Sequence, residues 1–159
     1  MMRMGVYAIT GSASGMGRKV AEKLRDAGHT VIGVDVKEAD VVADLSTPQG
    51  RREAAIGVLA AAENRLDGAV LAAGLGPGAG PDRLRMIAQV NYLGVVDLLE
   101  AWRPALAAAD RAKVVVFSSN STTTTPLVPA RAVRAFLDRD ADKAVRSVRL
   151  FGKNASAML

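Results

Sequence analysis

Apolar and polar residues follow two periods along this chain, and the two periods take turns. Short, almost wholly apolar runs occur at 5–10 (GVYAIT), 30–36 (TVIGVDV), 67–74 (DGAVLAAG) and 113–119 (KVVVFSS). Runs of that length, rich in β-branched residues and apolar on both sides, read as strands buried on both faces. Between them the spacing becomes helical. Val20, Leu24 and Ala27 share one side of 18–27, with Gly28 as the stop. Ser46, Thr47, Pro48 and Gln49 form a helix start, with a hydroxyl cap, an early proline and a glutamine at the capping-box position. Behind that start, Ala55, Val58, Leu59, Ala62 and Leu66 fall at i, i+3, i+4, i+7 and i+11. A long helix is predicted from Asp82 to about Ala109, STTTTPLVP (121–129) reads as loop, and 130–159 is helical in composition.

Strands alternating with helices predict an α/β fold, a doubly wound parallel sheet with helices on either side, in a single domain over 1–159. Only four strands are expected, and KVVVFSS would then present an unpaired apolar edge.

Composition narrows the chemistry. Half of the residues are hydrophobic but only 4% are aromatic, so Ala, Val and Leu must build the core. With no cysteine, disulfides and Cys-based metal or redox sites are excluded, and one histidine without an acidic cluster leaves no ligand set for zinc. The opening MMRMGVYAITG is too short an apolar run for a signal peptide, and the longest uncharged run, Gly68 to Pro81, is broken by Gly and Pro. A cytoplasmic protein is expected. Four of the five net positive charges arise after residue 130, from Arg131, Arg134, Arg139, Lys143, Arg146, Arg149 and Lys153 set against Asp138, Asp140 and Asp142. With only Phe136 and Phe151 as aromatic neighbours, this excess reads as a solvated helix face and not as a nucleic-acid surface.

The stretch Thr10-Gly11-Ser12-Ala13-Ser14-Gly15-Met16-Gly17 lies between the first strand and the first helix. Gly11 suits a tight turn, Gly15 a close backbone approach to a pyrophosphate, and Gly17 the packing of helix on strand, with the helix N–H groups left for the anion. Asp35 ends the second strand, 18 residues after Gly17, where an acid can bond the adenine ribose diol. A carboxylate there repels a 2′-phosphate, which favours NAD over NADP, although Arg18 and Lys37 are cations nearby.

On the long helix, Leu84, Ile87, Asn91, Val95, Leu98, Trp102 and Leu106 form one stripe at steps of three and four. Asn91 is its polar exception. An amide on a face meant for burial must be satisfied, either by tying down a neighbouring loop or by a role at a site.

Gly11-x-x-x-Gly15-x-Gly17 after Thr10, Asp44-Leu45 in VVADLS, Ala72-Ala73-Gly74, Asn91 in QVNYLG and Ser118-Ser119 closing VVVFSS occur in the order typical of short-chain dehydrogenases/reductases, which this chain resembles from residue 5 to 119. The glycine spacing is not that of the extended, epimerase-type relatives, and Ala replaces both asparagines of that family's Asn-Asn-Ala-Gly element. GHTVIGVDVKEADVVADLST, then GR, then LDGAVLAAGLGP resembles the 3α-hydroxysteroid dehydrogenase/carbonyl reductase branch.

The resemblance implies a Rossmann-type sheet and an NAD-dependent oxidoreductase that interconverts ketones and secondary alcohols, steroidal ones included. It implies cofactor contacts from Gly11, Ser12, Ala13, Ser14, Gly15, Met16, Gly17, Asp35, Val36, Asp44, Leu45, Ala73 and Gly74. It further implies an orienting role for Ser119, a proton-relay role for Asn91, and a homo-oligomeric full-length form, dimer or tetramer.

One part of the pattern is missing. The family's general acid/base is a tyrosine with a lysine four residues later. The tyrosines here are Tyr7 and Tyr92, followed at that distance by Gly11 and Val96. Residues 130–153 resemble a helical insertion that precedes the tyrosine, and FGKNASAML (151–159) reads as the opening of a helix that continues, with the tyrosine expected at or just past Leu159. Carbonyl reduction by this chain alone is therefore expected to be very slow. The alternative is a non-catalytic nucleotide-binding or interaction module. His29 reads as a turn residue, Trp102 and Phe117 as core, and Ser121 to Thr125 as a hydroxyl-rich coil or a substrate entrance.

Overall fold

A computed structural model describes residues 4–120, 124 and 127–159. The chain forms two compact units, Met1–Ala73 with Val95–Phe117, and Gly74–Gly94 with Ser118–Leu159.

The first unit contains one parallel sheet of five strands in the order β3-β2-β1-β4-β5. These are β1 (Val6–Thr10), β2 (Thr30–Asp35), β3 (Val41–Val42), β4 (Gly68–Leu71) and β5 (Lys113–Val116). The expected doubly wound α/β sheet is present, with one strand more than its sequence pattern shows. β3 has only two residues, too few to display a period of two.

Register alternation puts Ile9, Val31 and Val70 on one face, where α1 (Gly15–Asp26) packs with Ala21, Val20 and Leu24. Ala8, Ile32, Val34, Ala69 and Leu71 fill the other face and are equally buried, as strands between helical layers must be. α1 ends as its glycine predicts. Gly28 at φ 85° donates to the Arg25 carbonyl and His29 to the Leu24 carbonyl, a Schellman closure.

α2 (Pro48–Ala61) starts one residue later than a capping box would require. Thr47 is the cap, its Oγ1 accepting from Gly50 N at 2.9 Å, while Gln49 turns forward to Glu53 at 2.8 Å. The glutamine therefore closes no box. α4 (Gly94–Ala107) lies alongside α2 through Trp102, which is fully buried and whose Nε1 donates to the Ala55 carbonyl at 3.4 Å. Arg51, 5% exposed, makes a second link, with Nε 2.7 Å from Asp97 Oδ2 and Nη1 3.0 Å from the Leu45 carbonyl.

β5 lies at the end of the sheet, with Val114, Val115 and Val116 exposed at 45–50%. Phe117, expected in the core, is 36% exposed; its N–H continues the ladder to the Leu71 carbonyl at 3.0 Å, but among the described residues no further strand covers it. Trp102 is core as expected.

In the second unit the predicted long helix is interrupted. α3 (Arg83–Ile87) passes into a π-helical segment, Ala88–Leu93, before α4 begins. α5 (Ala130–Leu137) and α6 (Ala141–Val148) form a hairpin turned by Arg139 at φ 58°, and Asp140 caps α6 through Lys143 N at 2.8 Å. Arg131, Arg134, Arg139, Lys143, Arg146 and Arg149 are all exposed, as expected of a solvated face. The tail differs from its prediction. Arg149–Met158 is 3-10 helix interrupted at Gly152 (φ 55°), and Ala155 and Met158 fold into a cluster with Ala132 and Val148. A small residue at 155 suits this packing as well as it suits a continuing helix. The loop predicted at 121–129 lies largely outside the described residues.

Replacing Trp102 by Ala should cost about 3–5 kcal/mol, because transfer and cavity terms add at a site with no exposure. Urea unfolding measures it; a loss below about 1 kcal/mol would contradict this packing.

Candidate functional site

The site in the first unit forms where β1 ends. Thr10 is 1% exposed, and its Oγ1 accepts from both Ala72 N and Ala73 N at 3.1 Å. One hydroxyl thus closes two orphan amides at the end of β4, a role the sequence hints at only through a hydroxyl residue at the end of an apolar strand. Gly11 follows at φ 70°. A Cβ there would lie 2.9 Å from both the N and the Cα of Ala73, so main chain meets main chain. Gly17 is packed as closely, against the Gly11 carbonyl. Gly17 serves the helix-on-strand packing predicted for it, and Gly11, predicted for a tight turn, adopts one and serves close approach as well.

The turn is fastened to β2 by three successive amides. Gly11 N and Ser12 N donate to the Val34 carbonyl at 2.8 and 3.4 Å, and Ala13 N donates to Asp35 Oδ2 at 3.0 Å. Asp35 Oδ1 also accepts from Lys37 N at 3.1 Å. A carboxylate offers about four lone-pair sites, so these two bonds leave acceptor capacity for a diol.

Beyond the turn the helix end is open. Ser14 makes no side-chain cap bond, the first turn of α1 holds no acidic residue, and Gly15 at φ 54° has nothing within 4 Å of its virtual Cβ. The unpaired amides and the helix dipole make this an anion-receptive end. Ser14, Gly15 and Met16 are exposed, Met16 by 60%. A dinucleotide pyrophosphate fits: the two tight glycines clear the approach and the third faces open space.

Of the other predicted contacts, Val36 is exposed and Asp44 is exposed, its Oδ1 accepting from Ser46 N at 2.9 Å. Leu45 is only 5% exposed, so its side chain belongs to the core and its main chain alone is oriented, by Arg51. The packing is close here too, since a Cβ on Gly50 would strike the Asp44 backbone. Ala73 stays at the Thr10–Gly11 junction. His29 is more than a turn residue, because its Nδ1 accepts from Gly5 N at 3.1 Å and its ring meets Tyr7 edge-on at 5.0 Å.

Gly74, Asn91 and Ser119 belong to the second unit. Asn91 lies within the π-helical segment, and both ends of its amide are engaged: Nδ2 donates to the Leu75 carbonyl at 3.0 Å and Oδ1 accepts from Leu75 N at 2.8 Å. Its polar character on an apolar stripe is thus satisfied by tying down the loop after Gly74, the first of the two expectations. π-helical turns concentrate at functional sites, and a stripe at steps of three and four gives no sign of one. Ser119 is exposed.

The chain matches the NAD dependent epimerase/dehydratase family over residues 7–131. It is 41% identical over 116 residues to a 3-alpha-hydroxysteroid dehydrogenase/carbonyl reductase of Comamonas testosteroni, a match covering 73% of this chain and 44% of that protein. It is 39% identical over 99 residues to a coniferyl-alcohol dehydrogenase of a Pseudomonas species, covering 58% and 36%. Among solved structures, the 3-alpha-hydroxysteroid dehydrogenase from Pseudomonas sp. B-0831 complexed with NADH superposes with a TM-score of 0.84 at 39% identity, covering 96% of this chain and 59% of that one. A metagenomic short-chain oxidoreductase in complex with NADP gives a TM-score of 0.63 at 28% identity, covering 72% and 61%. The chain spans about half the length of the curated relatives it matches.

Thr10→Val, nearly isosteric, should destabilise the protein by about 1–3 kcal/mol by orphaning the Ala72 and Ala73 amides, whereas Thr10→Ser should recover most of the loss. Equal stability of the valine and serine variants in thermal unfolding would refute the double acceptor role.

Proposed function

Because the chain belongs to the short-chain dehydrogenase/reductase family, we propose that residues 11–17 with Asp35 bind NAD in preference to NADP, in a protein that interconverts a carbonyl and a secondary alcohol. The observation carrying this reading is the pairing of an open helix end at Ser14–Gly15 with a carboxylate, Asp35, held beside the turn by Ala13 N. The amides at the start of α1 bind the pyrophosphate, and Asp35 takes the ribose diol while repelling a 2′-phosphate. Asp44 and the Leu45 main chain border the adenine, with Val36, Met16, Ala73 and Gly74 as further contacts. NAD, when bound, supplies or takes the hydride.

In the same reading Ser119 orients the substrate oxygen and Asn91 supports proton relay, and steroid ketones belong to the substrate class. The 159 residues contain no Tyr-x-x-x-Lys, so the main proton donor is absent from them. General acid–base groups contribute roughly 10²–10⁴ in rate. The purified chain should therefore bind the dinucleotide and reduce ketones at least about 100-fold more slowly than an ordinary enzyme. A second reading, a non-catalytic nucleotide-binding module that engages a partner, is favoured by the exposed β5 valines.

Fluorescence titration should give a Kd for NADH about tenfold or more below that for NADPH, a difference of about 1.4 kcal/mol. Asp35→Ser should narrow or reverse that ratio. Tighter NADPH binding by the parent chain would overturn the assignment of Asp35. Ketone reduction at normal enzymatic rates would overturn the inference of a missing donor.

A further inference from the structure

Glycine in the middle of a buried strand weakens it and calls for a reason. Gly33 is such a residue, buried in β2 with Val31, Ile32 and Val34 around it. Its backbone is ordinary extended strand, without the positive φ that singles out Gly11, Gly15 and Gly28, so conformation does not require glycine there. Space does. A Cβ at Gly33 would strike the Ser12 Oγ and lie 2.8 Å from the Ser12 Cβ and 3.3 Å from Asp40 Oδ2. We propose that Gly33 is a positioning residue for the dinucleotide-binding turn: the hollow left by its missing side chain seats the Ser12 hydroxymethyl group and so fixes the height of the turn above β2. This inference rests on the reading that residues 11–17 bind the cofactor pyrophosphate.

The surroundings of the hollow support this role. Gly33 N–H donates to Asp40 Oδ2 at 2.7 Å, and that carboxylate oxygen also meets Arg25 Nη2 of α1 at 3.2 Å. β3 pairs with β2 only from Val34 onward, so the Asp40 side chain stands in for a strand partner at Gly33 and braces the far wall of the hollow. On the near side, the Val34 carbonyl holds Gly11 N and Ser12 N, and Asp35 holds Ala13 N. Ser12 is therefore fixed twice, by its amide and by its side chain. Rotating the hydroxyl away would relieve the contact with Oγ. The Ser12 Cβ is one bond from the backbone, and clearing it requires the turn itself to move.

The test is a double-mutant cycle of Gly33→Ala, Ser12→Gly and the pair, read by NADH titration, thermal unfolding, and amide exchange at Ser12 and Ala13 without cofactor. Gly33→Ala should weaken NADH binding by about tenfold and speed exchange at both amides by a similar factor, the size of a contact coupling. In the Ser12→Gly background, which empties the hollow, adding Gly33→Ala should change either readout by less than about threefold. A folded Gly33→Ala protein with parental affinity and exchange would overturn the proposal, as would a pair no better than Gly33→Ala alone. Should Gly33→Ala fail to fold, the pair must fold and match Ser12→Gly; failure of the pair also overturns it. If the parent chain takes up no NADH, the cofactor reading fails, and the exchange measurements still decide the role of Gly33.

Discussion

The contact on which the site depends is main chain against main chain at the end of β1. Gly11 abuts Ala73 on one side, and Gly17 abuts the Gly11 carbonyl on the other. Three elements, β1, β4 and α1, converge on a volume with no room for a methyl group. That closeness lets a single hydroxyl, on Thr10, satisfy two amides of the neighbouring strand. It also brings the amides of residues 11–13 within reach of β2. The anion-receptive helix end is a product of this packing, because the helix can begin so near the sheet only if Gly11 and Gly17, which meet at the contact, lack side chains.

From that junction the unit's other polar bonds follow a common logic, in which carboxylates and hydroxyls finish what the ladder leaves open. Asp35 completes the turn, Asp40 completes β2, Asp44 completes the segment before α2, and Thr47 caps that helix. Each takes a backbone N–H, three of them in a turn or at a helix start and one, at Gly33, within β2 where β3 does not yet pair. Such groups act locally and leave the apolar core to Ala, Val and Leu, with Trp102 as its one large aromatic anchor among the described residues.

Much of this is legible in the sequence because it obeys short-range rules. The four main strands, the turn at Gly11, the close packing at Gly17, the Gly28 stop and the place of Asp35 at the end of β2 all follow from period, spacing and turn chemistry. What escapes depends on partners distant in sequence or on features too small to show a period. β3 has two residues, the π-helical segment around Asn91 preserves the apolar stripe that suggests an uninterrupted helix, and Gln49 is drawn away from the cap by its neighbour Glu53. Phe117 reads as core from its apolar company, but burial depends on what lies beyond the strand. Leu45 shows the converse, a residue expected to face a ligand whose side chain is claimed by the core. Ala155 and Met158 suit both a continuing helix and the packing they adopt, and composition alone does not choose between the two.

The two margins of the sheet are built unlike one another. On one side β3 is two residues long and the Asp40 carboxylate already occupies the Gly33 amide that a longer strand would use. On the other, β5 is four residues long and shows its valines to solvent. The two margins thus treat the hydrogen-bond ladder differently: beside β3 a side chain closes it early at Gly33, whereas among the described residues no strand pairs with the outer edge of β5.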